Sequence, residues 1–212
     1  MLGSVAADPA GNFVVVWSSQ YFGSNGYDVI GQRYLASGEP LGPQFRVNTY
    51  TPGDQADPAV ATDPFGTFVV AWSSESSGSP PEPGLFGQRF ASTGAPLGPE
   101  FRINTDPTGT QDQPAIAFDG GGNFVIAWHA PSFGTGDVFG QRYSSLGEPS
   151  GTEFRVNTST TGWQRDPSVA STPNGTFLVT WDSGPPNLIP DDVFGQRFGG
   201  VFPVALQDFR LK

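Results

Sequence analysis

The sequence predicts an all-β fold, a β-propeller of four four-stranded antiparallel blades of about 55 residues each. Three observations carry that expectation. Four copies of one unit run through the 212 residues, with Trp at 17, 72, 128 and 181 and Gly-Gln-Arg ending at 33, 89, 142 and 197. Gly and Pro together make 50 of the 212 residues, a composition that helices reject, since Gly costs about 1 kcal/mol and Pro about 3 kcal/mol relative to Ala inside one. Aromatic residues make 13% of the chain, which argues against a disordered chain, because such chains are poor in large apolar side chains.

Each unit reads as strands A to D. Strand A is short, at residues 4–7, 59–62, 115–118 and 168–171. The A-to-B turn follows. In Asp63-Pro64-Phe65-Gly66 the Asp, Pro and Gly hold positions i, i+1 and i+3 of a type I turn, Asp8-Pro9-Ala10-Gly11 repeats them, and the third and fourth units keep the final Gly at 122 and 175. Strand B is the most apolar run, GNFVVVWSS in the first unit and GTFVVAWSS, GNFVIAWHA and GTFLVTWDS in the others. Strand C is VIGQRY, LFGQRF, VFGQRY or VFGQRF. A hairpin with Gly38, Gly94 or Gly147 leads to strand D, FRVNT, FRINT, FRVNT and a degenerate FRLK. The expected organisation is a single repeat domain over 1–212 with blades at 1–55, 56–111, 112–164 and 165–212. Every unit carries all four strands, so no terminal strand is expected to complete another blade, and completion of a larger ring by homodimerisation is the corresponding expectation.

The net charge of −10 excludes a basic surface for nucleic acid or anionic membranes. No apolar run reaches the roughly 18 to 20 residues that span a bilayer, so membrane insertion is not expected. The N-terminal stretch shows neither the basic nor the apolar region of a signal peptide. The absence of Cys removes disulfides, thiolate metal sites and Cys nucleophiles.

Repeated polar residues read as architecture. The Arg of Gly-Gln-Arg and of strand D are expected to satisfy carbonyls or carboxylates between blades, the Gln likewise, and the four repeat Trp to pack in the core. Asp28, Asp137 and Asp192 stand three residues before the Gly of Gly-Gln-Arg, where the second unit has Gly84. With Asp191 they are weak candidates for an oxygen-ligand Ca²⁺ loop; a carboxylate bonded to its own loop or to the repeated Arg is the favoured reading. No other cofactor is expected. His129 is the only His, which excludes a two-His metal site. A carboxylate pair for glycoside hydrolysis is available from Glu75, Glu82, Asp182 or Asp191.

Unit lengths vary in one place. From the Gly or Pro that opens strand A (Gly3, Pro58, Pro114, Pro167) to Trp the spacing is 14 in every copy, whereas from Trp to Gln it is 15, 16, 13 and 15. The variable B-to-C loops and the D-to-A connections are expected on one face, the usual location of a binding surface on a repeat scaffold. The candidate ligand contacts there are Trp163, Tyr21, Tyr27, Asn25, His129, Phe133, Asp182 and Asn187, with Trp163 as an aromatic platform or as a cover on the next blade.

These motifs resemble bacterial repeat arrays of the pattern G-x-F-V-V-x-W, V-F-G-Q-R-F and E-F-x-V-N-T, found in large secreted or surface proteins and taken to be propeller-like. The resemblance covers nearly the whole chain and implies an extracellular or cell-surface interaction module. The leading expectation is therefore a non-catalytic module, not an enzyme, that binds a glycan or a surface protein. The alternatives are a structural spacer of a large adhesin and a polysaccharide-active enzyme.

Overall fold

The computed structural model describes residues 3–20, 26–75, 83–107, 109–132, 135–185, 192–199 and 208–211, and every regular element among them is a strand. The chain divides into two compact units, Met1–Thr108 and Gly109–Lys212. The first contains β1 (Gly3–Ala7), β2 (Phe13–Ser19), β3 (Asp28–Tyr34), β4 (Phe45–Arg46), β5 (Asp54–Thr62), β6 (Phe68–Glu75), β7 (Gly84–Phe90) and β8 (Phe101–Arg102). The second contains β9 (Asp112–Phe118), β10 (Phe124–Ser132), β11 (Thr135–Tyr143), β12 (Phe154–Arg155), β13 (Trp163–Ser171), β14 (Phe177–Gly184), β15 (Asp192–Phe198) and β16 (Asp208–Leu211).

In the first unit β1 to β4 and β5 to β8 form two four-stranded sheets in chain order. The second unit departs from the expectation of separate four-stranded blades. Its two meanders are one eight-stranded sheet, joined by a parallel pairing of Gly136 in β11 with Trp163 in β13. The cause is local. The third B-to-C connection is the shortest, so β10 and β11 stay paired out to Ser132 and Thr135, which brings β11 to the start of β13. The first unit makes a lesser version of this contact, where Gln55 N donates to Tyr27 O at 2.8 Å.

The A-to-B turns form as their sequences dictate. The amides of Gly11, Gly66, Gly122 and Gly175 donate to the carbonyls of Asp8, Asp63, Asp119 and Thr172 at 2.9, 3.1, 3.2 and 3.0 Å. Each of these Gly has φ between 79 and 84°, a region that other residues enter only at a cost.

The Gly of Gly-Gln-Arg has a different reason. It lies opposite the strand-D Phe (Gly31 with Phe45, Gly87 with Phe101, Gly140 with Phe154), and a Cβ there would stand 2.6, 2.7 and 2.9 Å from the ring Cζ. Gly lets the ring lie across the strand-C backbone. The Gln that follows donates to two carbonyls, for Gln32 those of Arg33 and Gly42. Arg33 donates to Ser92 O and Thr93 O in the next meander, as expected of an architectural guanidinium. The core of the first unit gathers Val14, Val16, Val70, Trp72 and Phe90, and that of the second Val125, Val138, Val179, Trp181 and Phe198.

Strand D is short because an Asn side chain takes over the ladder. Asn48, Asn104 and Asn157 accept from the amides of Val29, Leu85 and Val138 at 2.8, 2.8 and 2.7 Å. Their Nδ2 groups donate to the carbonyls of Tyr50, Asp106 and Ser159. Asn48 and Asn157 also donate to Asp28 and Asp137 at 2.7 and 2.6 Å. In the second meander, where Gly84 replaces the Asp, the Arg102 guanidinium lies 2.6 Å from where a Cβ would stand.

Candidate functional site

Strand A is longer than the sequence suggested. It begins at Asp54, Asp112 and Trp163, before the Pro that was expected to open it. The added segment serves the core: Gln55, Gln111 and Gln164 accept from the Nε1 of Trp72, Trp128 and Trp181 at 3.1, 3.1 and 2.8 Å. The chain then bulges. Two residues of strand A oppose one of strand B between Ala56 and Ala59, between Asp112 and Ala115, and between Arg165 and Ser168. The bulged residues Asp57, Gln113 and Asp166 have φ of 49, 54 and 53°. Left-handed backbone at a non-Gly residue costs roughly 1–2 kcal/mol, and each of these also precedes a Pro, which disfavours helical backbone further. Strain of this kind, repeated at equivalent positions, marks a place where side chains are being aimed.

In the second unit the bulges assemble a polar network. Gln113 Nε2 donates to Asp166 Oδ1 at 2.5 Å, and Asp166 N donates back to Gln113 Oε1 at 3.1 Å. Arg165 Nε lies 3.6 Å from Asp166 Oδ2. Arg165 is paired across the strands with Asp182. Partial burial pushes the Asp182 carboxyl above its ordinary pKa, the Asp166 charge pushes it further, and Arg165 opposes them. The two carboxylates have different surroundings: Asp166 accepts from Gln113 and lies beside the Arg165 guanidinium, while the Asp182 carboxyl is raised in pKa chiefly by burial.

Beside them lie His129 and Asp112, paired across β10 and β9, with Nδ1 2.8 Å from Asp112 Oδ1. A carboxylate only accepts, so Nδ1 carries a proton, which leaves Nε2 as the ring's other polar atom. That atom is buried and has no hydrogen-bond partner. Trp163 tilts over the imidazole, with ring centroids 6.0 Å apart.

The structure places the sequence-derived candidates as follows. Trp163, His129 and Asp182 come together, but within strands β13, β10 and β14, whereas all three were expected in loops or connections. Trp163 covers the preceding meander, not the next. Tyr27 stays apart, where its amide donates to Asp54 at 2.9 Å. Tyr21, Asn25, Phe133, Asn187 and, among the carboxylates, Glu82 and Asp191 lie outside the described residues. Of the Ca²⁺ candidates, Asp28 and Asp137 are each engaged by an Asn amide, with Arg46 and Arg155 at 3.9 Å, and Asp192 pairs with Ser183 in the β14–β15 ladder. No cluster of three His or acidic side chains occurs among the described residues. Sequence reasoning missed Gln113, Asp166, Asp112 and Arg165. The signal was the Gln-x-x-Pro approach itself, whose first middle position is Ala56, Asp112 or Arg165 and whose second is Asp57, Gln113 or Asp166.

No family model and no curated protein matches the chain. Solved structures do. An α-L-arabinofuranosidase from Fusarium graminearum matches at TM-score 0.65 and 12% identity over 100% of this chain and 66% of its own. An α-L-arabinanase from Penicillium chrysogenum, complexed with arabinobiose, matches at TM-score 0.63 and 16% identity over 91% and 60%. A Dyadobacter fermentans protein of unknown function matches at 0.65 and 14% over 92% and 64%. The chain therefore spans less than two thirds of the length of each of these three. The expectation of a non-catalytic binding module is corrected by this likeness, because the fold is shared with α-L-arabinofuranosidases and arabinanases. The chain shares an all-β fold with these α-L-arabinofuranosidase and α-L-arabinanase structures.

Proposed function

We propose that the chain is a polysaccharide-active module, each meander being a propeller blade, and that it hydrolyses glycosidic bonds in arabinan-type glycans through Asp182 and Asp166. The supporting observation is the Asp166, Arg165 and Asp182 group gathered at a strained, repeated bulge. Asp182 in its protonated form donates to the glycosidic oxygen as the bond to the anomeric carbon breaks. Asp166, which accepts from Gln113 and lies beside Arg165, faces the positive charge that develops at that carbon; water adds there and its proton passes to the Asp182 carboxylate. Arg165 sits between the two and limits how far the Asp182 proton is retained. The neighbours' names supply the substrate class.

The test is release of reducing ends from linear arabinan by the purified chain. Asp182→Asn and Asp166→Asn are each expected to lower the rate by at least about 100-fold, with the β-sheet circular-dichroism spectrum retained. Full activity in either variant, or no hydrolysis of arabinan by the wild type, refutes the reading.

A further inference from the structure

Resting on that reading, we propose that Trp163 is the platform of a sugar subsite beside the carboxylate pair, and that its occupant is a neutral sugar ring of the same glycan. Three departures from the repeat meet at this one place. Trp163 stands where the other units have Asp54 and Thr110, His129 where they have Ser18, Ser73 and Asp182, and Gly136 where the first two have Tyr27 and Pro83. They are coupled sterically. A Cβ on Gly136 would stand 2.3 Å from His129 Nε2 and 3.3 Å from Trp163 Cε3. The His therefore requires the Gly, and the Gly lets the indole lie over the β11 backbone.

Trp163 also differs from the repeat Trp in what holds it. Trp72, Trp128 and Trp181 are buried and give their Nε1 to a Gln. Trp163 is only half-buried, and its ring contact is with His129. Its backbone partners on both sides are Gly, Gly136 in β11 and Gly184 in β14, so neither neighbouring strand places a side chain directly beside the indole. His129, 5% exposed and oriented by Asp112, is a positioning residue under the ring, its Nε2 buried without a donor. A flat apolar face with free edges and polar groups at its margin is the arrangement on which sugar rings stack. Arg165 and Asp182 lie one step further along the same face of β13 and β14, which puts the platform next to the proposed reacting groups.

The experiment uses the arabinan assay with Trp163→Thr, the residue that the equivalent position 110 accommodates, and Trp163→Phe. The expected result is a KM at least tenfold higher for Trp163→Thr with kcat within about threefold, and a KM within about threefold of wild type for Trp163→Phe. Calorimetry with linear arabino-oligosaccharides is run on Asp182→Asn with and without Trp163→Thr, and binding only with Trp163 present supports the subsite. An unchanged KM for Trp163→Thr in an active enzyme overturns the subsite and leaves the carboxylate reading standing. Trp163-dependent binding by a wild type that hydrolyses nothing overturns the carboxylate reading and supports the subsite. Absence of binding in both calorimetric samples overturns the subsite.

Discussion

Asn48→Asp is the sharpest test of how these meanders hold together, because the molecule contains its own control. The substitution keeps the oxygen that accepts from Val29 N at 2.8 Å and turns the Nδ2 donor into a second oxygen. That oxygen would face Asp28 Oδ1 at 2.7 Å in a site where Asp28 is fully buried, and the donation to Tyr50 O is lost as well. Two adjacent buried carboxylates with one cation at 3.9 Å cost about 3–5 kcal/mol, the scale of a buried charge left uncompensated. Asn104→Asp makes the same chemical change in the same compact unit, but opposite Gly84 and beside the Arg102 guanidinium. It forfeits only the donation to Asp106 O, about 1–2 kcal/mol. Urea unfolding followed by Trp fluorescence is expected to separate the two variants by about 2–3 kcal/mol at pH 7. In Asn48→Asp one carboxyl of the pair has a folded-state pKa raised above its unfolded value. Its penalty is complete above that raised pKa and disappears as pH falls below the unfolded carboxylate range, where a proton restores a hydrogen bond. The gap between the variants therefore closes near pH 3. Equal losses at pH 7, or a gap independent of pH, would refute the reasoning.

Two further outcomes follow from the same geometry. Gly31→Ala drives a methyl to within 2.6 Å of Phe45 Cζ and is expected to cost about 1–3 kcal/mol by overpacking; Phe45→Leu in the same chain recovers part of it, and an additive double mutant would show that the two do not touch. Asp182→Asn removes a carboxyl whose folded pKa is raised, so its ionised form weakens the fold at pH 7 but not below the unfolded carboxylate range. Thermal midpoints are expected to rise at pH 7 and to be unchanged near pH 3, and a lower midpoint at pH 7 contradicts the assigned direction.

Much of the fold was legible because it rests on local rules. The turn Gly at 11, 66, 122 and 175 and the hairpin Gly at 38, 94 and 147 announce positive φ, and the period of Trp and Gly-Gln-Arg announces the meanders. The site was legible only in part. Trp163, His129 and Asp182 were singled out as departures from the repeat, but their partners were hidden by register. Nothing in a linear sequence shows that Arg165 faces Asp182 or that Gln113 reaches Asp166 from 53 positions away, because both depend on a one-residue bulge whose effect is to re-aim side chains. The fusion of the third and fourth meanders was hidden for a related reason: it follows from how far β11 extends toward Trp163, a tertiary outcome of one short loop. The non-catalytic expectation was argued from loops and is overturned by the fold shared with arabinofuranosidases and arabinanases, while Asp166 and Asp182 lie within β13 and β14.

The residue pair at the bulge also bears on how a chain of near-copies avoids folding into the wrong order. With strands as alike as β9 and β13, or β10 and β14, an incorrect partner would satisfy most of the ladder and much of the core, the situation in which repeat proteins misassemble. The three pairs seen here are Ala56 with Ser73, Asp112 with His129 and Arg165 with Asp182. Laid on β14, β9 would set Asp112 against Asp182; laid on β10, β13 would set Arg165 against His129. Both exchanges discard a matched pair, and the first opposes like charges directly across the strands. One cross-strand position thus gives each strand A its own address, and the unfolded chain carries in these few side chains the information that distinguishes copies otherwise close to interchangeable.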